Sequence, residues 1–294
     1  MSRPPTFTPP PCAHATTLST DRGAFAVIDA RPEGTPKATV LLLPGYTGSK
    51  EDFIALHEPL AAAGYRSVAV DGRGQYASSG PGSDGEPYRQ GDEATYRQSE
   101  LAADVLAQQA ALGGERVHLL GHSLGGQIAR AAVLTDAAPF RSLTLMSSGP
   151  AQISPSQQQR VKLLLDALSV MGMAQVWEAI QALDAPEETD TDDELRARWL
   201  RHSPAQLAAT GRQLMTEPDR VAELAATGLP LHVVSGERDD TWPVPLLDAM
   251  AGRLAAARTV IAGAEHSPNT DRPGPTAAAL TAFWDGLPGQ GQAQ

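Results

Sequence analysis

Short apolar runs that alternate with helical stretches constrain the fold of this chain more than any other feature of its sequence. Most runs are stopped by Gly, Pro, Asp or Ser, and the apolar residues between the runs have helical spacing. Strands that are covered on both faces are continuously apolar, as most of these runs are. The runs are residues 38–43, 67–70, 117–120, 143–146, 231–235 and 258–261. The alternation predicts an α/β fold with a doubly wound, mainly parallel sheet, and residues 25–28 are a candidate antiparallel edge strand.

The alternation is interrupted between residues 152 and 227. This stretch has helical apolar spacing without any strand pattern. It predicts a helical cap inserted into a core formed by residues 16–151 and 228–287. The proline-rich residues 1–15 are expected to be a disordered leader, and the Gly- and Gln-rich residues 288–294 a frayed tail.

The composition excludes several classes of function. With 23 Lys and Arg against 34 Asp and Glu, the chain has a formal net charge of −11 at pH 7, so it lacks the basic surface that nucleic acid requires. Cys12 is the only cysteine, which excludes an intrachain disulfide and a four-cysteine zinc site. No stretch approaches the ~18 apolar residues of a membrane-spanning helix. Because no apolar secretory segment is present near Met1, a cytoplasmic location is expected. The sequence carries no indication of the oligomeric state.

One turn of the sequence combines a strand, a motif of small residues and a helix. Residues 121–126 read Gly-His-Ser-Leu-Gly-Gly and follow the apolar run at 117–120. G-x-S-x-G between a strand and a helix is typical of a nucleophile elbow, in which a strained turn lifts the serine hydroxyl above the sheet. Ser123 is therefore the candidate nucleophile. The N–H of Leu124, at the start of the helix, is a candidate donor to an oxyanion.

A serine hydroxyl needs a base, and the base is expected on a loop at the carboxyl edge of the sheet. His266 follows the last apolar run in the loop Gly-Ala-Glu-His-Ser-Pro, and it is the candidate base. The other histidines fall in the leader (His14), in helical segments (His57 and His202), inside strands (His118 and His232) or beside the serine (His122). The chain therefore offers one histidine in the position that this chemistry requires.

The imidazole in turn needs an acid that fixes its tautomer. The loop after residues 231–235 offers Glu237, Asp239 and Asp240, in the chain order Ser, acid, His that is expected for a nucleophile elbow. The turn after residues 143–146 offers no acid. The loop after residues 38–43 reads Pro-Gly-Tyr-Thr-Gly, and Tyr46 and Thr47 supply its first candidate oxyanion donors after Gly45.

Four motifs together resemble the α/β-hydrolase superfamily, of the serine-hydrolase type with a helical cap. The elbow at 121–126 matches the family's G-H-S-x-G-G, and the loops around Asp239 and His266 match the family's acid and histidine loops, as G-x-x-D-x-x-x-P and G-x-x-H-S-P. Residues 71–78 resemble the family's D-x-R-G-x-G-x-S loop, with Tyr76 at the third glycine-like position. The oxyanion loop has Pro44-Gly45 where the family often has His-Gly. The resemblance extends over residues 25–284.

The resemblance implies hydrolysis of an ester-type bond by Ser123, Asp239 and His266, with Asp240 as the competing acid. Backbone N–H groups of Tyr46 and Leu124 would form the oxyanion hole, and neither a metal nor an organic cofactor is implied. We expect a small-molecule carboxylic ester, small or medium in size and largely apolar, because a capped apolar pocket suits such a ligand. An acyltransferase that uses Ser123, or a non-catalytic binding protein, is the alternative. Candidate pocket-lining residues are Met171, Met173, Trp177, Trp199 and Trp242.

Overall fold

A single eight-stranded sheet organises the computed structural model, which describes residues 2–80, 92–183 and 192–288. The spatial order is β1-β2-β4-β3-β5-β6-β7-β8. β1 pairs with β2 and β2 with β4 in antiparallel fashion, and the other neighbours are parallel. The strands are β1 (Ala13–Thr20), β2 (Gly23–Ala30), β3 (Ala38–Leu43), β4 (Tyr65–Val70), β5 (Val117–His122), β6 (Phe140–Met146), β7 (Leu231–Gly236) and β8 (Ala257–Ile261). The predicted mainly parallel α/β sheet is confirmed.

The central strands are apolar throughout because both faces of the sheet are covered. Along β3, Leu41 and Leu43 belong to one hydrophobic cluster, whereas Val40 and Leu42 belong to the cluster on the opposite face. Successive side chains of a strand point to opposite faces, so a strand between two layers of helices needs an apolar residue at every position.

Helices follow the strands, and five of them lie between β6 and β7. The helices are α1 (Ile54–Ala62), α2 (Gln98–Ala111), α3 (Leu124–Thr135), α4 (Pro155–Leu168), α5 (Met173–Leu183), α6 (Asp192–Leu200), α7 (Pro204–Thr216), α8 (Val221–Ala225), α9 (Val244–Leu254), α10 (Pro268–Asp271) and α11 (Pro273–Asp285). None of those in the described ranges is long and apolar enough to cross a membrane.

The edge of the sheet differs from the prediction. Residues 25–28 lie in β2, which is an inner strand, and β1 forms the edge. The expectation of a disordered leader over residues 1–15 is wrong for residues 13–15, because they pair with β2 as the start of β1. It is also wrong for residues 2–7, where the Ser2 carbonyl accepts from Arg198 and Pro4 is buried. The apolar pattern gave no signal for β1, whose residues are mostly exposed on both faces. Most of the expected frayed tail, residues 289–294, lies outside the described residues.

Helices α4 to α8 form an insertion between β6 and β7, with no strand among the residues of it that the structure describes. The insertion has a hydrophobic cluster of its own, to which α4, α5, α6 and α7 all contribute. Two buried ion pairs join it to the rest of the molecule, Arg198 with Asp52 and Arg130 with Glu217, each at 2.7 Å. That it forms a separate cap with boundaries at 152 and 227 stays a prediction.

Candidate active site

Ser123 lies on a strained turn between β5 and α3. Its φ and ψ angles are 53° and −118°, in a region that residues with a side chain rarely adopt and that costs about 1–3 kcal/mol. Two backbone hydrogen bonds hold the turn. The Ser123 N–H donates to the carbonyl of Met146 at 2.9 Å, and the Gly126 N–H donates to the carbonyl of Ser123 at 2.9 Å. The serine therefore has a fixed position at the carboxyl edge of the sheet.

Glycines surround the turn because neighbouring backbone fills the space that side chains would need. A Cβ on Gly121 would overlap the carbonyl of Gly125. A Cβ on Gly125 would overlap the carbonyls of Leu43 and Pro44, and one on Gly126 would overlap the Ser148 side chain. The motif thus reflects close approach of α3 to the ends of β3, β5 and β6.

His266 lies between the serine and a carboxylate. It follows β8, and its Nε2 is 3.1 Å from Ser123 Oγ. Its Nδ1 is 3.0 Å from each carboxylate oxygen of Asp239. A carboxylate accepts, so the proton on Nδ1 donates to Asp239 and the lone pair of Nε2 faces the serine hydroxyl. The structure thus brings together three residues from the ends of β5, β7 and β8.

Of the three acids in the loop after β7, Asp239 alone contacts His266. Its side chain is fully buried, and its Oδ1 also accepts from the backbone N–H groups of Thr241 at 2.8 Å and Trp242 at 3.1 Å. Asp240 is exposed and accepts from Gln157 at 2.6 Å. Glu237 is exposed and accepts from the Gly263 N–H at 2.9 Å. The N–H groups of Thr241 and Trp242 fix the Asp239 carboxylate in one orientation toward the imidazole.

His122 holds the backbone of the loop that carries His266. Its Nε2 donates to the carbonyl of His266 at 2.8 Å. Burial lowers the pKa of His122 to about 4, and the neighbouring His266 adds to this effect because a second positive charge there would be repelled. His122 is therefore neutral at pH 7 and acts as a hydrogen-bond donor that holds the backbone of His266.

The loop after β3 is fixed on two sides. The Gln75 side-chain amide donates to the carbonyl of Gly45 at 2.9 Å, and the Tyr46 hydroxyl donates to the carbonyl of Leu207 in α7 at 2.7 Å. Burial raises the pKa of the Tyr46 phenol, which keeps it protonated as a donor. A Cβ on Gly45 would lie 3.4 Å from the Cβ of Ser123, so this loop passes directly beside the serine.

The two predicted oxyanion donors, the N–H groups of Tyr46 and Leu124, belong to the loop after β3 and to the first turn of α3. Tyr46 belongs to the loop that passes the serine, and it lines the cavity in front of it. Leu124 is the first residue of α3, where a backbone N–H has no acceptor within the helix. Gln75, which fixes the Tyr46 loop, was missed from the sequence, although its place just after Gly74 in the D-x-R-G loop marked a turn near the site.

A cavity of about 290 Å³ opens in front of Ser123 and His266. Most of the residues around it are polar, and Gln157, Arg160 and Val161 reach it from one face of α4. No cluster of three or more His, Cys, Asp or Glu side chains in the described ranges could hold a metal ion. The lining residues are Ser2, Gly45, Tyr46, Thr47, Gly48, His122, Ser123, Ile153, Gln157, Arg160, Val161, Leu214, Asp240, Thr241, His266 and Ser267.

None of the five predicted pocket-lining residues lines this cavity. Met173, Trp177 and Trp199 pack in the hydrophobic cluster of the insertion, and Trp199 Nε1 donates to the carbonyl of Met173 at 2.7 Å. Met171 lies at the surface with 38% of its area exposed. The prediction is wrong for these four because helical apolar spacing marks a buried face without telling whether the face meets a ligand or a neighbouring helix.

Trp242 is the fifth predicted lining residue, and it lies beneath the site. It is fully buried, and its Nε1 donates to the carbonyls of Ala151 at 2.9 Å and Gln152 at 3.1 Å. Its ring is nearly parallel to the imidazole of His266, with the ring centroids 6.4 Å apart. The Trp242 side chain therefore packs the base of the site and does not meet the cavity.

Comparison with known proteins agrees with this fold. A family model for the alpha/beta hydrolase fold matches residues 38–172. The chain is 31% identical over 251 residues to a 2-hydroxy-6-oxononadienedioate/2-hydroxy-6-oxononatrienedioate hydrolase of Paraburkholderia xenovorans, covering 79% of this chain and 82% of that protein. It is 33% identical over 196 residues to a pimeloyl-(acyl-carrier protein) methyl ester esterase of Aeromonas hydrophila, covering 60% and 76%.

Solved structures share the fold at lower identity. A thermophilic esterase from Thermogutta terrifontis superposes with a TM-score of 0.71 at 21% identity, covering 93% of this chain and 98% of that one. The sheet and its loops define an α/β-hydrolase fold. The chain belongs to the α/β-hydrolase superfamily, and it is a hydrolase of that family.

The elbow glycines lead to a matched pair of substitutions. Gly125→Ala should destabilise the protein by about 1–3 kcal/mol and lower activity, because its Cβ meets backbone carbonyls that cannot rotate away. Gly252→Ala, in α9 with open space around it, should instead stabilise by about 0.4–1 kcal/mol. Urea unfolding of both variants measures the difference. Equal stability of the two would contradict the close approach of α3 to β3.

Proposed function

We propose that this protein is a serine hydrolase that cleaves a small or medium carboxylic ester through an acyl-enzyme on Ser123. The observation that carries the proposal is the continuous chain of contacts from Ser123 Oγ to His266 Nε2 and from His266 Nδ1 to Asp239. The relative from Aeromonas hydrophila adds support, because it is named as an ester-cleaving enzyme.

In the proposed reaction, Ser123 Oγ attacks the substrate carbonyl carbon while its proton passes to Nε2 of His266. Asp239 stabilises the resulting imidazolium through Nδ1–H. The C–O bond of the ester then breaks, and Nε2–H gives its proton to the leaving alkoxide. Water attacks the acyl-serine by the same proton route, which releases the acid and restores the serine hydroxyl.

Two backbone N–H groups would hold the oxyanion that forms in both steps. Tyr46 offers one from the loop after β3, and Leu124 offers the other from the start of α3. Each donor in such a site is worth about 10²–10³ in rate. Gln75 and the Tyr46 hydroxyl would act as positioning groups, because they fix the loop that carries the first donor.

The helical insertion is proposed to serve as a cap over the substrate. Ile153 precedes α4, and Gln157, Arg160 and Val161 lie on α4; all four line the cavity from the insertion's side. The Tyr46–Leu207 hydrogen bond ties the insertion to the oxyanion loop. A cap held in this way would exclude water from one side of the bound ester.

The polar lining revises the expected substrate. A largely apolar ester suits a cavity lined by Met and Trp, but no Met or Trp lines this cavity, whereas Gln157, Arg160 and Asp240 do. Within the described residues no carboxylate pairs with Arg160. A guanidinium binds a carboxylate strongly and with defined geometry. We therefore propose that the substrate carries a carboxylate that binds Arg160, at the end distant from the ester.

The nucleophile is tested by turnover of p-nitrophenyl esters and by covalent labelling with a fluorophosphonate. The wild-type protein should hydrolyse short and medium esters and be labelled on Ser123. Ser123→Ala should lose both properties while it keeps the wild-type unfolding midpoint. Undiminished hydrolysis by Ser123→Ala would overturn the mechanism, and transfer of the acyl group to an added alcohol in preference to water would assign the acyltransferase alternative.

The two adjacent acids provide a matched comparison. Asp239→Asn should lower kcat by about 10⁴, because an amide offers the imidazole the wrong partner and permits the wrong tautomer. Asp240→Asn should stay within a few-fold of the wild type, since the Asp240 side chain accepts from Gln157 and Thr241 and does not contact His266. Steady-state kinetics of both variants on one ester decides which of the two aspartates acts with His266. The assignment is wrong if Asp240→Asn alone loses activity.

The role of Arg160 is tested with a monomethyl ester of a dicarboxylic acid and with a neutral methyl ester of equal length. Arg160→Gln should raise KM for the acidic ester about tenfold and leave kcat and the neutral ester unchanged, because it removes one charge-assisted hydrogen bond. Arg196→Gln, an exposed position of the insertion that does not line the cavity, is the control. Equal changes for both esters would refute an anion-binding role.

A further inference from the structure

We propose that residues 2–7 form a strap that closes one end of the catalytic cavity and limits the length of the ester that fits. This inference rests on the proposed function and adds a specificity-determining segment to it. Ser2 lines the cavity together with Ser123 and His266, although it lies 121 positions before Ser123 in the chain. A segment at such a distance in sequence reaches the cavity only if contacts along its length direct it there.

The strap is held at the cavity by a buried arginine of the insertion. Arg198 Nη2 donates to the carbonyl of Ser2 at 2.7 Å, and Nη1 of the same side chain donates to Asp52 at 2.7 Å. The Arg198 and Asp52 side chains are fully buried. Because one guanidinium bonds the strap and the core loop together, the position of Ser2 is coupled to the contact between insertion and core.

Packing fixes the other end of the strap. The Phe7 ring packs against the insertion's hydrophobic cluster and lies 5.9 Å from the guanidinium of Arg198, measured to the ring centroid. It also meets the ring of Tyr76 edge to face, with centroids 6.4 Å apart at 82°. Pro4, between the two anchors, is buried. The strap therefore has a carbonyl anchor, a buried proline and an aromatic anchor within six residues.

The pairing of β1 in the sheet does not by itself bring Ser2 to the cavity. Ala13 pairs with Ala30, and Ala30 pairs with Ser67 near the start of β4, so β1 begins at the amino edge of the parallel strands. The site lies at the opposite, carboxyl edge. The chain between Ser2 and Ala13 must cross from one edge to the other, and eleven extended residues reach about 36–40 Å at most. The segment thus runs across the molecule toward the cavity.

A wall made by an anchored strap limits the space beyond it, and loosening the strap enlarges that space. Phe7→Ala removes the aromatic anchor and keeps the backbone. Arg198→Lys keeps a cation beside Asp52 but cannot bond Asp52 and the Ser2 carbonyl in the geometry of a guanidinium. Phe7→Ala loosens one end of the strap, and Arg198→Lys removes the bond at the other end and alters the guanidinium that faces Phe7; neither changes Ser123, His266 or Asp239.

The experiment measures kcat/KM for p-nitrophenyl butyrate and p-nitrophenyl decanoate. In Phe7→Ala and Arg198→Lys the ratio of decanoate to butyrate should rise about tenfold over the wild type, in the range that pocket size controls. Thr8→Ala, an exposed position on the same segment, and Arg196→Lys, exposed on α6, should keep the wild-type ratio. Urea midpoints identify any loss of folding, and Phe7→Ala alone suffices if Arg198→Lys unfolds.

The strap and the proposed function fail in different ways. If the wild type hydrolyses the esters and both loosened variants keep its ratio, or change both substrates equally, the strap does not limit length. If the wild type hydrolyses neither ester, the proposed function fails. The strap is then judged by the labelling rate of Ser123 with ethyl and dodecyl fluorophosphonates, and a dodecyl-to-ethyl ratio unchanged in Phe7→Ala would overturn it.

Discussion

The strained backbone at Ser123 is the constraint on which the rest of the site depends. A φ of 53° at a residue with a side chain is unfavourable, and it persists because β5, β6 and α3 hold the turn by hydrogen bonds and close packing. The glycines at 121, 125 and 126 let α3 approach the strand ends closely. That approach sets the distance from the serine to the loop after β3, and hence the room for an oxyanion. Strain at one residue is thus balanced by the packing of three strands and a helix.

The insertion contributes to the same geometry from the opposite side. Its helices contact the loop after β3 through the Tyr46–Leu207 hydrogen bond and through His202, whose Nε2 lies 3.1 Å from the carbonyl of Gly48. The buried pair of Arg198 with Asp52 adds a charged contact where little water is present, and a pair of this kind is costly to break on one side. Movement of the insertion would therefore displace the loop that carries the proposed Tyr46 donor. In the proposed mechanism, substrate binding and oxyanion stabilisation would be coupled through the same few contacts.

Sequence patterns predicted the sheet and the contacts among Ser123, His266 and Asp239 for a physical reason. Buried parallel strands must be apolar at every position, and tight turns at their ends require Gly, Pro or Asp, so β3, β5 and the elbow could be found from residue types alone. His266 followed from its place after the last strand, and Asp239 from the motif of its loop. β1 could not be found this way, because an exposed edge strand is held by backbone pairing with β2 and leaves no apolar pattern. The strap was missed because the residues that hold it, Arg198 and Tyr76, are remote from it in sequence.

The error in the pocket lining has a consequence for selectivity. The large apolar side chains of the insertion, such as Trp177 and Trp199, pack into its own core, which α4, α5, α6 and α7 form together. The surface facing Ser123 is shared by polar side chains such as Arg160 and smaller apolar ones such as Val161 and Leu214. An apolar pocket separates substrates that differ by a methylene by a factor of about 10–200, whereas a site whose polar groups must be paired rejects a ligand lacking them by about 10⁴–10⁵. If Arg160 binds the substrate as proposed, selectivity at this cavity would rest on that polar contact, and the proposed strap would set only the length that fits.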